Sequence, residues 1–266
     1  MPDKRHSDEL NNILWDFDRL TNNLMAQPTD PFWRQIIDDV HKYVELDTHR
    51  FALDKAPICP LVQSDRPDVI YNGSSFVMGI ECFQFDASKK TKKGSTQIRK
   101  QIEAEQRIKN KIQTAKLPSE GYLSIDAEVD AEFSIQYYID SLLAALCTHA
   151  KSIGQYREHL QLAYPERQVY LSFFIEDATA IGNYIVVNGK TEPLSPLRIA
   201  PLLDFLLSLK GLDYVVIKTT NMYVPSLQFL KVDMDTFRPL YSKCYLPDTK
   251  FIQYRYKIES HVYSMG

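Results

Sequence analysis

The sequence predicts a mixed α/β fold, and three observations carry that expectation. Short β-prone runs, such as Gln168 to Ile175 and Leu212 to Thr219, alternate with stretches whose apolar residues recur at three- and four-residue steps. One pair of β runs is separated by Asn72-Gly73, a strong hairpin signal. A Pro just inside a helix start and a Gly past its end, Pro196 and Gly211, bracket a further helical stretch.

The elements follow in order. Leu10, Ile13, Leu14, Phe17, Leu20 and Leu24 make one apolar stripe, the mark of a helix that buries one face. Asp30-Pro31 starts a second helix. The Asp caps free amides, and Pro forfeits no hydrogen bond at the first helical position. Trp33, Ile36, Ile37, Val40 and Val44 continue it on one face. Pro67 to Tyr71 and Ser75 to Phe85 are the two hairpin strands. Ser95 to Lys116 reads as a mostly polar helix with a narrow stripe of Ile98, Ile102, Ile108 and Ile112. Asp126, Glu128, Asp130 and Glu132 read as an acidic loop, after which Ser134 caps a long helix to about Gln155. Gln168 to Ile175, Tyr184 to Val187, Leu212 to Thr219 and Phe251 to Ile258 read as strands, with a helix between Ser195 and Gly211. No internal repeat or long linker interrupts this order. The expected organisation is a single α/β domain over residues 1–266, with 1–29 as a helical extension and 181–266 adding strands and a helix.

Composition narrows the function classes. At 266 residues and 30.8 kDa the chain can bury a substantial core. With 44% hydrophobic and 24% charged residues it is an ordinary globular sequence rather than a low-complexity one. The first thirty residues are acidic and lack an apolar run, so no secretory signal is expected, and no stretch is apolar enough to span a bilayer. A cytoplasmic protein without a membrane partner is therefore expected. Cys59, Cys82, Cys147 and Cys244 are too dispersed for a zinc knuckle or a redox pair and read as reduced core thiols. Glycine-rich phosphate loops, a nucleophile elbow and a zinc-protease motif are all absent from the sequence. The six histidines show no metal-ligand spacing, and His149 reads as a packed or half-exposed residue.

What chemistry remains is concentrated in Pro67-Asp68 and in Glu81, which interrupts the run Val77, Met78, Ile80. A carboxylate in an apolar strand is unfavourable unless it is paired or holds a cation. A hairpin brings Asp68 and Glu81 side by side, where they could share one divalent ion. Their hard oxygen ligands suit Mg²⁺, with Mn²⁺ as its substitute. The structural alternative is a turn-capping Asp68 and a Glu81 paired with a core Arg. Glu176-Asp177 ends an apolar strand and reads first as strand-end solvation.

Pro67-Asp68 followed by Glu81 resembles the PD-(D/E)XK nuclease superfamily. The resemblance covers about residues 30–180 and implies a restriction-endonuclease-like αβββαβ core. It also implies metal ligation by Asp68 and Glu81, with Glu45 on the first core helix as a further acid. The sequence departs from the motif at Phe83, where the motif has a Lys. Glu81 and residue 83 share a strand face, so the ammonium would have to come from Lys89, Lys90, Lys92 or Lys93. Gln84 and Asp86 fall on the other face of a regular strand.

A basic stretch follows immediately. Residues 89–116 hold ten Lys/Arg against Glu103 and Glu105, a local balance of +8 in a chain of net charge −3. Such a patch on an acidic body suits phosphate contacts. Lys89, Lys90, Lys92, Lys93, Arg99, Lys100 and Arg107 are the expected nucleic-acid contacts. The expected function is metal-dependent hydrolysis of phosphodiester bonds in DNA, with Asp68, Glu81, Lys89 and Lys90 catalytic. Phe83 supports an alternative, a catalytically degenerate nuclease-like fold that binds nucleic acid or protein. A third reading is an interaction protein whose basic helix meets an acidic partner. The sequence does not fix the oligomeric state, and a dimer is compatible with it.

Overall fold

The computed structural model describes residues 10–14, 16–18, 28–48, 58–87, 90–91, 94–116, 122–130, 134–179, 184–187, 189–221, 224–245, 250–251 and 255–263. The chain groups into two compact units. The first comprises residues 1–85, 143–182 and 195–245, and the second residues 86–142, 183–194 and 246–266. The sequence predicts one domain without a linker. No composition shift marks the two units, because each is assembled from three separated segments.

In chain order, residues 10–14 and 16–18 are helical (α1). Then come α2 (Pro31–Thr48), β1 (Leu61–Gln63), β2 (Val69–Asn72), β3 (Phe76–Phe85), β4 (Lys90–Thr91), β5 (Gly94–Ser95) and α3 (Thr96–Thr114). They are followed by β6 (Tyr122–Asp130), α4 (Ile135–Ala150), α5 (Ile153–Ala163), β7 (Gln168–Asp177), β8 (Tyr184–Val187) and β9 (Lys190–Pro193). A 3₁₀ turn (Pro196–Arg198) leads to α6 (Ala200–Ser208), β10 (Tyr214–Asn221), β11 (Val224–Lys231), α7 (Met234–Tyr241), β12 (Lys250–Phe251) and β13 (Arg255–Tyr263).

The first unit is built on a mixed six-stranded sheet in the order β1-β2-β3-β7-β10-β11. The pairs β1/β2, β2/β3 and β10/β11 are antiparallel, while β3/β7 and β7/β10 are parallel. The central strands read as nearly continuous apolar runs because both their faces are covered, as parallel strands require. On one face, Trp33, Ile36, Ile37 and Val40 of α2 join Ile13 and Phe17 of α1. They form one apolar core with Val69, Tyr71, Met78, Ile80, Phe174 and Val216 of the sheet. The Asp30 cap expected for α2 forms: its Oδ1 accepts from the amides of Phe32 at 2.9 Å and Trp33 at 3.3 Å. The other face carries the Gly79, Glu81 and Phe83 positions of β3 and meets residues of α4 and α5.

Several elements differ from the sequence expectation. The hairpin of residues 67–86 forms, but its turn is longer than Asn72-Gly73, since Asn72 pairs with Val77. Gly73 is needed there for space, because a Cβ would lie 2.5 Å from the Tyr71 ring. The long helix from Ser134 breaks at Lys151-Ser152 into α4 and α5, where Ser152 and Gly154 weaken helix propensity. The helix after Pro196 opens as a 3₁₀ turn and ends at Ser208. Gly211 lies beyond it at φ +88°, in the turn leading to β10. The cysteines are free as expected, but Cys147 is exposed and the other three are half-buried, so none is a core thiol.

The second unit corrects the acidic loop. Residues 122–130 are a strand, β6, paired along its whole length with β13. Ile125, Ala127 and Val129 are buried against Ala104 and Ile108 of α3, alternating with acids that point away. Ala104 takes the place expected of Ile102, which is 57% exposed. The strand expected to end at Ile258 continues to Tyr263 for the same reason: it follows β6 to the end of the pairing. A second small sheet, β12-β8-β9, belongs to this unit.

Candidate functional site

Strand register places the two carboxylates. Val69 is the partner of Ile80 across β2/β3, and both side chains enter the core under α2. Asp68 and Glu81 lie one residue beyond each of these. Alternation turns Glu81 to the opposite face, while Asp68 precedes β2. That face also holds Gly79, where a Cβ would lie 2.5 Å from Pro67 Cγ and 2.6 Å from Leu160 Cδ1. The missing side chain lets Pro67 settle onto the strand, which fixes the backbone that presents Asp68.

Glu81 is only 6% exposed. Its Oε1 accepts from the Tyr156 hydroxyl at 2.8 Å and lies 2.7 Å from His149 Nδ1. The Oε2 atom takes no hydrogen bond among the described residues. Asp68 Oδ2 accepts from the Cys82 amide at 2.7 Å, so its carboxylate reaches across to the strand position next to Glu81. The Tyr156 phenol is pushed up to about 12. Burial is the main cause, followed by the bond to Glu81 and its charge, with the Asp68 charge adding to them. One hydroxyl therefore senses both carboxylates. Two residues along the same face, the Phe83 ring lies flat on the His149 imidazole, with centroids 4.2 Å apart and planes 8° from parallel. The position at which the resemblance expects a Lys thus holds half of an aromatic stack.

The remaining expected residues are placed as follows. Glu45 is exposed on α2, 3.2 Å from His41 Nε2, and no hydrogen bond or ion pair among the described residues joins it to Asp68 or Glu81. Lys89, Lys92 and Lys93 lie outside the described residues. Lys90 lies in β4, where it pairs with Ser95. Arg99, Lys100 and Arg107 lie on α3. Arg107 Nη2 donates to the carbonyl of Glu128 at 3.0 Å, and Lys111 Nζ to that of Asp126 at 2.8 Å. These two cations are thus bonded to backbone carbonyls of β6. Asp68, Glu81 and Glu45 belong to the first unit, and Lys90, Arg99, Lys100 and Arg107 to the second.

On the α2 side of β3, Cys82, Gln84, Glu176, Lys218 and Asp16 line a cleft of about 220 Å³. Lys218 Nζ lies 2.8 Å from Asp16 Oδ2 and 3.2 Å from Glu176 Oε1. Burial works against the ammonium, but the two carboxylates outweigh it and raise its pKa. Gln84 is on this face, as alternation requires, and away from Glu81. Asp177 is not solvated. It is 5% exposed and accepts from the Thr179 amide at 3.0 Å.

Among the described residues, no three His, Cys, Asp or Glu side chains are grouped to hold a metal ion. A fully caged ion such as structural zinc therefore has no ligand set there. An ion such as Mg²⁺ keeps several of its waters and needs only one or two carboxylates, and Glu81 and Asp68 are the carboxylates that could serve as such ligands. Sequence reasoning missed His149 and Tyr156 as partners of Glu81. They lie 68 and 75 residues away on helices, so no spacing rule reports them. Compared with models of known families, with curated proteins and with solved structures, the chain matches none. No helix among the described residues is long and apolar enough to cross a membrane.

Proposed function

We propose that this protein is a metal-dependent, nuclease-like enzyme that hydrolyses phosphodiester bonds in DNA, with Asp68 and Glu81 holding one Mg²⁺ or Mn²⁺. The observation that carries the reading is the approach of Asp68, one residue before β2, to β3, where its Oδ2 accepts from the amide of Cys82, the residue after Glu81. The order of elements in the first unit supports it: a helix, three antiparallel strands and, after β4, β5, α3 and β6, a helical segment and a strand parallel to the third. That is the αβββαβ order implied by the PD-(D/E)XK resemblance. Held by Asp68 and Glu81, a divalent ion would supply an activated water and charge compensation at the leaving oxygen. Asp68 and Glu81 supply the negative charge that holds the ion. The basic residues 89–107 supply phosphate contacts without base information. A cytoplasmic setting belongs to the same proposal.

Phe83 and its stack on His149 favour a second reading, a degenerate nuclease-like fold that binds nucleic acid without cutting it. Calorimetry with Mn²⁺ and a cleavage assay on duplex DNA separate the two. The enzyme reading expects Mn²⁺ binding that Glu81→Ala removes, and cleavage that Asp68→Ala stops while DNA binding persists. For ~4–6 phosphate contacts, log K should fall with log salt at a slope of about −3.6 to −5.4. Replacing Lys89, Lys90, Lys92 and Lys93 together by Ala should flatten that slope. No DNA or RNA binding at ~50 mM salt would sink both readings.

A further inference from the structure

Resting on the metal-site reading above, we propose that His149 positions the Glu81 carboxylate for the cation, with Tyr156 and Phe83 as its supports. The residue that orients the site would then come from helix α4 rather than from the strand position two after Glu81.

A glutamate on a strand has three rotatable bonds, and its two oxygens are interchangeable until something distinguishes them. Here both donors converge on Oε1, from His149 at 2.7 Å and Tyr156 at 2.8 Å. That arrangement fixes the carboxylate plane and leaves Oε2 without a donor among the described residues. An ionised carboxylate only accepts, so the His149 hydrogen in this bond sits on Nδ1. The imidazole is held in turn: its ring lies flat on Phe83, and Phe83 packs edge-on against Phe173 with centroids 5.4 Å apart. Phe83, His149 and Glu81 thus form a chain of fixed orientations starting in the core. A lysine at position 83 would remove the surface on which the imidazole rests. The loss of the motif Lys and the presence of His149 are therefore two sides of one arrangement. Groups that orient a metal-binding carboxylate commonly contribute about 10- to 100-fold in metal affinity.

The test uses the full chain and Mn²⁺ alone, by calorimetry, with metal-free proton NMR of the imidazole Nδ1–H as a second readout. His149→Phe keeps a flat ring on Phe83 and removes the donor. His149→Asn restores a donor near the Nδ1 position. Tyr156→Phe removes only the second donor. The expected result is Mn²⁺ binding weakened about 10- to 100-fold in His149→Phe and largely recovered in His149→Asn. Tyr156→Phe should lie between them. The Nδ1–H resonance should be present in the parent and lost in Glu81→Ala. If His149→Phe does not fold, His149→Asn and Tyr156→Phe still report the donors' contribution. Parent-like Mn²⁺ affinity in His149→Phe overturns the positioning role and leaves the metal site standing. A parent that binds no Mn²⁺ while showing the Nδ1–H resonance overturns the metal reading, and this inference with it.

Discussion

Two consecutive residues of α5 each hold a carboxylate of the sheet, and they hold it differently. Arg157 grips Asp213 and also donates to the carbonyls of Gly211 at 2.9 Å and Val169 at 3.3 Å. Asp213 Oδ2 accepts from the Leu171 amide at 2.8 Å as well, and its backbone bonds to Leu171 and Val232. That carboxylate ties α5 to the start of β10 and to β7. Its neighbour Tyr156 holds Glu81 through Oε1 together with His149, so two side chains meet there, whereas Asp213 Oδ2 takes a guanidinium and a backbone amide. A group spent on architecture has its hydrogen bonds spread over several elements. Among the described residues the Glu81 side chain is bonded by two side chains and by no backbone group. The difference does not come from burial, because Glu81 is the more buried of the two side chains.

The sharpest way to break this contrast is to exchange readouts between the two pairs. Arg157→Ala should destabilise the fold by about 3 kcal/mol, the low end for removing one partner of a buried pair, because both side chains are about a quarter exposed, at 26% and 29%. Its Mn²⁺ affinity should not change. Glu81→Gln still accepts from Tyr156 and should cost within about 1 kcal/mol, while losing Mn²⁺ binding. Urea denaturation and calorimetry on the same samples measure both. If Glu81→Gln is the more destabilised of the two, Glu81 is an architectural carboxylate and the contrast collapses.

Gly79 sharpens the comparison from the strand side. Gly79→Ala places a methyl 2.5 Å from Pro67 Cγ and 2.6 Å from Leu160 Cδ1. The expected cost is about 2 kcal/mol, typical of overpacking. Relief by moving Pro67 would also shift Asp68 and weaken Mn²⁺ binding. Relief by moving Leu160 would leave Mn²⁺ affinity at the parent value, and Pro67 would then have no part in presenting Asp68.

Much of the fold was legible because its signals are local. The α2 stripe and its Asp30 cap, the β2/β3 hairpin and the β7 run are each written within about twenty residues. Asp68 and Glu81 were legible for a related reason: a carboxylate next to Pro at a strand mouth and another inside an apolar run are both locally out of place. What was hidden depends on partners far along the chain. The acids of 126–130 read as a loop because charge drew attention away from the period-two pattern of Ile125, Ala127 and Val129. Arg107 and Lys111 counted only as positive charges, although they satisfy carbonyls of that strand. His149 and Tyr156 could not be assigned to Glu81 at all, because only the parallel return of β7 beside β3 brings α4 and α5 to that face.

The smallest expected effect concerns Tyr156 at high pH, in metal-free protein. Its phenol is raised from an ordinary value near 10 to about 12, first by burial and then by Glu81. The folded state therefore keeps this proton where the unfolded state has lost it. The stabilisation is fully present below pH 10 and is lost as pH rises through about 12. Tyr241, raised to about 12 by burial and by Asp204, contributes a similar loss, and Tyr71 and Tyr214 are raised further. The parent must consequently be compared with Tyr156→Phe, which retains those other tyrosines. Between pH 9 and pH 11 the parent should lose about 1 kcal/mol more stability than the variant, read from urea midpoints at each pH. Equal losses would mean that the hydroxyl does not sit against Glu81 in solution. The hold on the Glu81 carboxylate would then rest on His149 alone.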